Sequence, residues 1–344
     1  MSVSISAKVL AGIALMGASL AVQAETTLIF NNFLPPSHFI RDVTAQWAAD
    51  VERETQGRVK LEIPAGSLAA PPQQVNAVKS GIADLAITAN VFVQKQAPLL
   101  SYSSLPFLIN DAEAASVANW RTYSKFLADS APLKRHGVDI LSVFNFSGGH
   151  LYGLAEEPIE TMEQLGSKRL WALPGYTAGT IKNLGLSPVT GPAVKVSETV
   201  AKGVVDAFYG ISYESVTDFK AAPYTKNIVQ FPFSGTSTSF SLIINKRAWS
   251  KLSDQDRQII TKLSGESFAR NVGAAAKQAS IEALAAMQAD GIKLINAKPE
   301  FYAAFKDASQ PLFEGFYKQA ENSGFDGKAM LADFRAEYAK ELGQ

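Results

Sequence analysis

The sequence predicts an α/β fold, and three observations carry that prediction: a stretch from Leu165 to Asp206 that alternates strand and helix, a similar stretch from Thr26 to Thr88, and a composition able to fill a large core. The first stretch reads as a strand over Arg169–Leu173, a Pro174-Gly175 break, a helix opening near Thr177, a short second strand, a helix over Val196–Lys202 and a third strand from Val204. Such alternation is a βαβ pattern. Hydrophobic residues make up 47% of the 344 residues and charged ones 19%, enough to bury a sizeable core in one or two domains.

Charge and cysteine usage exclude several classes. Lys+Arg and Asp+Glu balance at 32 each, which gives no indication of a nucleic-acid or acidic-membrane partner. The absence of cysteine removes disulfides, thiolate zinc sites and thiol nucleophiles together, and is compatible with an oxidising compartment. At the amino terminus Lys8 supplies a positive charge, Val9–Val22 is apolar, and Val22-Gln23-Ala24 has the small residues of a cleavage site. Residues 1–24 are therefore expected to be a cleaved signal peptide, since the apolar run is too short to span comfortably as an anchor.

From Glu25 onward the elements follow in order. Thr26–Phe33 is strand-like, and beyond Pro35-Pro36, Ser37 is placed to cap a helix whose apolar positions Phe39, Val43, Trp47 and Val51 recur at helical period. A strand over Val59–Ile63, a helix over Gln73–Lys79 and a strand over Ala83–Thr88 complete a parallel unit. Ligands on such sheets sit beyond the carboxyl ends of strands, so Asn31, Asn32, Phe33, Thr88, Ala89 and Asn90 are expected to face a cleft. A helical stretch over Ala112–Asp129 precedes a strand over Val138–Phe146 that runs into Ser147-Gly148-Gly149-His150. Glycines at that place suit a hinge. A second crossing is expected around Pro232–Ser239, then a strand over Ser239–Asn245, a long helix over Asp254–Asp290 and amphipathic helix from Glu300 to Leu342 packed on the second half.

Four ordered segments identify a family. Thr55-Gln56-Gly57-Arg58-Val59 with Pro64-Ala65-Gly66-Ser67-Leu68, then Lys79-Ser80-Gly81-Ile82-Ala83-Asp84, then Leu105-Pro106-Phe107-Leu108, and finally Gly203-Val204-Val205-Asp206 resemble, in order, the signature runs of solute-binding proteins of tripartite ATP-independent periplasmic (TRAP) transporters. The resemblance spans nearly all of the chain beyond Ala24. It implies a two-lobe α/β fold of the periplasmic-binding-protein kind, with a central cleft and a long helix spanning both lobes. The first lobe would comprise residues 25–147 and 236–276, and the second 148–235 and 277–344. It further implies a monomeric receptor that closes on a small solute and passes it to the membrane permease subunits of a TRAP transporter, with no cofactor.

The residues that would touch the solute depart from the family pattern. The family's anchoring arginine falls on Leu170 or, in the shifted register, on Trp171, with Arg169 alongside. Counting back from Pro158-Ile159 places His150 where many members carry a second arginine. Where the family often has Gly-Gln-Glu-Asn-Pro after the aspartate, this chain reads Ala207-Phe208-Tyr209-Gly210-Ile211. A pocket less cationic and more aromatic than usual follows, suited to an aromatic or weakly charged acid. The expected ligand contacts are His150, Trp171, Arg169, Tyr209 and Tyr213, with Phe33, His38, Asn90 and Phe92 from the first lobe. The bland alternative for each is core, a solvated strand arginine or a satisfied structural histidine.

Catalytic and metal chemistry find no support in the residues. His38, His136 and His150 lie far apart, with no HExxH spacing, and there is no G-x-S-x-G elbow and no Walker A loop. Two other classes stay open at this point: the binding protein of an ATP-driven importer, which shares the two-lobe plan, and a hydrolase on an α/β scaffold.

Overall fold

The computed structural model describes residues 25–344. The expected signal peptide lies outside the described residues. The first lobe opens with β1 (Thr26–Asn31), α1 (Ile40–Glu54), β2 (Val59–Glu62), α2 (Gln74–Ser80) and β3 (Leu85–Ala89). Of the apolar period read from the sequence, Trp47 and Val51 are on the buried face of α1 with Ile40, Thr44 and Ala48, while Phe39 and Val43 are partly buried at its edge; Trp47 meets Phe30 edge-on at 5.7 Å. Ser37 does not cap that helix; its N-cap is Phe39, without a side-chain bond.

After α3 (Ala112–Phe126) the chain enters β4 (Val138–Gly153), a 16-residue strand that runs on through the glycines instead of ending at Phe146. The second lobe follows with α4 (Met162–Gly166), β5 (Leu170–Ala172), α5 (Tyr176–Asn183), β6 (Val189–Thr190), α6 (Val196–Ala201), β7 (Ala207–Ile211), α7 (Tyr213–Asp218) and β8 (Asn227–Gln230). The strand β9 (Thr236–Asn245) then returns antiparallel to both β4 and β3. The remainder is α8 (Lys246–Lys251), α9 (Asp254–Leu263), α10 (Gly265–Ala289), β10 (Lys293–Asn296), α11 (Pro299–Asn322) and α12 (Gly327–Glu341).

One strand order, β2-β1-β3-β9-β4-β7-β5-β6, runs through both lobes. The amino-terminal part of β4 pairs with β9, as far as Gly149 opposite Thr236, and from His150 it pairs with β7. The glycines supply room at this crossing. A Cβ on Gly149 would stand 2.2 Å from the carbonyl carbon of Gly210, and one on Gly148 would stand 1.9 Å from Ser234 Cβ. At Gly149 a side chain is excluded because β4 and β7 approach at backbone distance, and at Gly148 because the Ser234 side chain fills the space.

The long helix expected from Asp254 to Asp290 is two helices. Gly265 adopts a left-handed φ of +55° against the ring of Trp120, which breaks the ladder between α9 and α10. The second piece spans both lobes, packing on α3 and α1 at one end and on α7 toward the other. The final amphipathic stretch is also divided. Helix α11 packs on α5 of the second lobe, whereas α12 crosses back to α3 of the first, where Phe334 sits edge-on to Tyr102 and the Tyr338 hydroxyl accepts from the backbone N–H groups of Asn110 and Asp111 at 2.9 Å.

Candidate ligand-binding cleft

The cleft is built where the carboxyl ends of strands from both lobes face each other. Beyond β1 and β3, the first lobe contributes Phe33, Leu34, Ala89, Val91, Phe92 and Gln94. Beyond β5 and β7, the second contributes Leu173, Pro174, Tyr176 and Thr177, then Ile211, Ser212 and Ser215. The connecting strands supply Phe146 and Ser147 from β4 and Thr236, Ser237, Thr238 and Phe240 from β9, and Phe219 follows α7. Pro71, Ser101, Ser104 and the Pro192–Val194 turn complete the lining.

Two features define what this space can hold. Six aromatic rings line it, Phe33, Phe92, Phe146, Tyr176, Phe219 and Phe240, with Phe146 and Phe240 in contact at a centroid distance of 4.1 Å. Among the described residues no charged side chain lines it. Polarity comes from Ser, Thr and Gln side chains and from the backbone at the start of α5, whose first N–H groups have no partner within the helix.

Several wall hydroxyls are already committed inward. Ser237 donates to the Phe146 carbonyl at 2.8 Å, and Thr236 donates to the Ser104 carbonyl at 3.0 Å. The Ser212 hydroxyl is paired with the Glu214 carboxyl at 2.5 Å and lies 3.0 Å from Ser215 Oγ. Glu214 is 2% exposed, and burial pushes its carboxyl up to about 7 against the opposing pull of the Ser212 bond.

The structure brings two of the nine expected contacts, Phe33 and Phe92, to the cleft wall. The others lie elsewhere. Trp171 is 1% exposed in the middle of β5, paired with Phe208 and Val189. Strand alternation gave it the face opposite Leu170, but this sheet is covered on both faces, so Leu170, Trp171 and Ala172 are all core. Arg169 points to solvent and grips Asp206, with Nη2 at 2.7 Å from Oδ1, which holds that carboxyl down at about 2. Tyr209 is buried among Phe231 and Phe305, against Gly235. Asn90 is fixed to the Leu100 carbonyl and to Ser239 and Ser241.

The two histidines sit behind the wall or away from it. His38 stacks on Phe146 and Phe219 at 5.3 and 5.6 Å, one layer back, and burial with help from Arg41 lowers it to about 3. His150 stacks on Tyr213 at 4.9 Å and accepts from the Phe231 N–H at 3.2 Å; burial lowers it to about 3 as well. His150 and Tyr213 border a second cavity, on the α10 side of the crossing, with Lys277, Ser280 and Ile281. The residues that sequence reasoning missed, Leu173, Tyr176, Thr177, Ile211, Ser212 and Ser215, were within reach of the strand-end rule already used for the first lobe.

The family is settled by comparison with known proteins. Residues 30–320 match the DctP family of bacterial extracellular solute-binding proteins, family 7. The chain belongs to this family. A curated relative from Comamonas testosteroni, named outer membrane transporter protein TsaT, is 32% identical over 325 residues, 93% of this chain and 94% of the relative. Among solved structures, a TRAP periplasmic solute-binding protein of Bordetella bronchiseptica with bound (R)- and (S)-mandelate has a TM-score of 0.85 and 26% identity, covering 92% of this chain and 99% of that one. A marine metagenome TRAP solute-binding protein specific for aromatic acid ligands, in complex with 3-hydroxybenzoate, has a TM-score of 0.82 and 26% identity over the same shares.

The protein is thus an extracytoplasmic solute-binding protein of the TRAP class, with the two-lobe α/β fold expected from its sequence. Such proteins are receptors that bind small solutes and work with membrane permease components; they are not enzymes. That sets aside the ATP-driven importer and the hydrolase. Among the described residues no group of three or more His, Asp or Glu side chains is placed to hold a metal ion, and no helix is long and apolar enough to cross a membrane.

Proposed function

We propose that the cleft captures an aromatic monocarboxylate in the periplasm, after removal of residues 1–24, and that the protein works as a monomer that hands this acid to its permease. The observation that carries the reading is the wall itself: among the described residues it has six aromatic rings and no charged side chain. Rings from both lobes enclose a flat apolar ligand, which gains from burial and from offset or edge contacts worth about 0.5–1.5 kcal/mol per aromatic pair beyond area. Phe33 and Phe92 are the first-lobe rings assigned to this contact, and both are only partly buried without ligand.

The carboxylate would be met by hydroxyls and by backbone N–H groups at the start of α5, beside Tyr176 and Thr177, where the helix end carries a partial positive charge. A dicarboxylate would leave a second charge facing phenylalanine. The aromatic acids bound by the Bordetella and marine relatives support the same ligand class. The test is a thermal-shift screen over aromatic monocarboxylates, aliphatic dicarboxylates, sulfonates, polyols and amines. Mandelate and 3-hydroxybenzoate should give the largest shifts, and a larger shift from a plain dicarboxylate would overturn the reading.

A further inference from the structure

We infer that the cleft takes up one proton when it binds its acid, and that the buried carboxyl of Glu214 receives it. The inference rests on the aromatic-acid reading above. It starts from an imbalance of charge: an acid enters as an anion, and the wall offers no cation to meet it. Directly behind the wall lies a second carboxyl, that of Glu214, 2% exposed, whose Oε1 accepts from the Ser212 hydroxyl at 2.5 Å.

The groups facing Glu214 supply no cation either. On its own helix stand Tyr213 and Asp218, from β4 comes Tyr152 with His150 beyond Tyr213, and from α10 comes Ser280. Lys277, on the same helix as Ser280, is paired to Asp111 at 2.6 Å. Among the described residues no lysine or arginine forms an ion pair with Glu214, and its Oε2 has no protein partner.

Ser212 has one proton to give. While Glu214 is ionised, that proton is committed to Oε1 at 2.5 Å, and the hydroxyl turns lone pairs toward the cleft, where they repel a carboxylate. When Glu214 gains a proton from bulk water, its O–H donates to Ser212 Oγ, and the Ser212 hydroxyl is free to donate to the ligand. One proton is taken up, no other bond changes, and the added negative charge is neutralised. Two carboxyl groups on either side of one hydroxyl cannot both ionise without cost, so the bound acid drives the uptake. Burial already holds the empty protein's Glu214 at about 7, so the proton is nearly available at neutral pH.

Titration calorimetry with 3-hydroxybenzoate at pH 6, 7 and 8, in two buffers of different ionisation enthalpy, tests this. With Glu214 titrating at about 7, the neutral fraction of the empty protein falls from about nine-tenths to about one-tenth, so Kd should weaken about tenfold between pH 6 and pH 8. Uptake at pH 8 should approach one proton. The ligand carboxyl, with an ordinary pKa near 4, stays ionised throughout. Glu214→Gln should bind with a Kd independent of pH, and Asp218→Asn should keep the tenfold change. Binding by the wild type that is flat with pH and exchanges no proton would overturn the inference while leaving the aromatic-acid reading intact. Survival of the tenfold change in Glu214→Gln, or its loss in Asp218→Asn, would also overturn it. Should Glu214→Gln fail to fold, the wild-type proton count and Asp218→Asn still decide. Failure of both 3-hydroxybenzoate and mandelate to bind at any of the three pH values would sink the reading of the cleft, and this inference with it.

Discussion

Gly149→Ala tests the crossing on which the two lobes are joined. The new Cβ would lie 2.2, 2.5 and 2.6 Å from the carbonyl carbon, oxygen and Cα of Gly210, and all three atoms belong to the facing strand's backbone. A flexible side chain can swing away from such a clash, but a paired strand moves only by breaking its ladder. Overpacking of a filled interior costs about 1–3 kcal/mol, and a backbone clash belongs at the upper end, near 3. An unfolding entropy of about 2.1 cal/mol/K per residue gives about 0.7 kcal/mol/K for the described chain, so the melting temperature should drop by about 4–5 °C. The matched control is Gly166→Ala at the end of α4, where an added Cβ meets nothing within 4 Å; there the expected change is nil or a slight gain. Differential scanning fluorimetry of the two variants decides. If Gly149→Ala melts within about 1 °C of the control, close approach is not what the glycine provides.

Other consequences follow from the same geometry. Phe33→Ala and Phe92→Ala, at partly buried rings of the wall, should each weaken binding of 3-hydroxybenzoate by about 1–2 kcal/mol, or about 5- to 30-fold, with little change in melting temperature; unchanged affinity in calorimetry would remove those rings from the site. Trp171→Phe should lower the melting temperature but leave Kd within about twofold, and Arg169→Ala should leave Kd equally unmoved, because neither side chain reaches the cleft. Stability against pH should show opposing contributions. His38 and His150, neutral in the fold down to about 3, lose stability as the unfolded chain gains protons below 6.5, whereas Glu214 and Asp218, raised to about 7 and about 6, gain stability on acidification because the fold holds those protons first. Between about pH 5 and pH 6 these contributions oppose one another, and Glu214→Gln should steepen the profile by about 1.4 kcal/mol per pH unit relative to the wild type, stability falling faster as pH falls. Urea titrations at those pH values that give the variant the same slope as the wild type would contradict the assignment of the raised carboxyl.

Much of the fold was legible in the sequence because βα alternation, turn glycines and apolar periods are local signals. The break between α9 and α10 was missed, since Gly265 alone weakens a helix and only the ring of Trp120 against it fixes the left-handed bend. The destination of α12 was missed for a like reason: an amphipathic stretch announces that it packs, and its contacts with α3 and Tyr102 are set by tertiary structure. In the site, the aromatic character of the cleft was inferred from absent arginines, but those positions turned out to be core or solvent. Trp171 and Tyr209 lie within strands, not past their ends, and the strand-end residues Leu173, Thr177, Ile211 and Ser212 carry no conspicuous chemistry in a linear reading.

The central claim is that an aromatic acid lies between phenylalanine rings and meets no cation, and the most direct measurement is a crystal structure of the complex with 3-hydroxybenzoate. The ring should lie against Phe33, Phe92, Phe146 and Phe240, the carboxylate on hydroxyl and backbone donors near Thr177 and Ser212, with no lysine or arginine nitrogen within about 4 Å of it. A guanidinium or ammonium group closing on the carboxylate, or the ligand seated instead in the α10-side cavity beside His150, would contradict it.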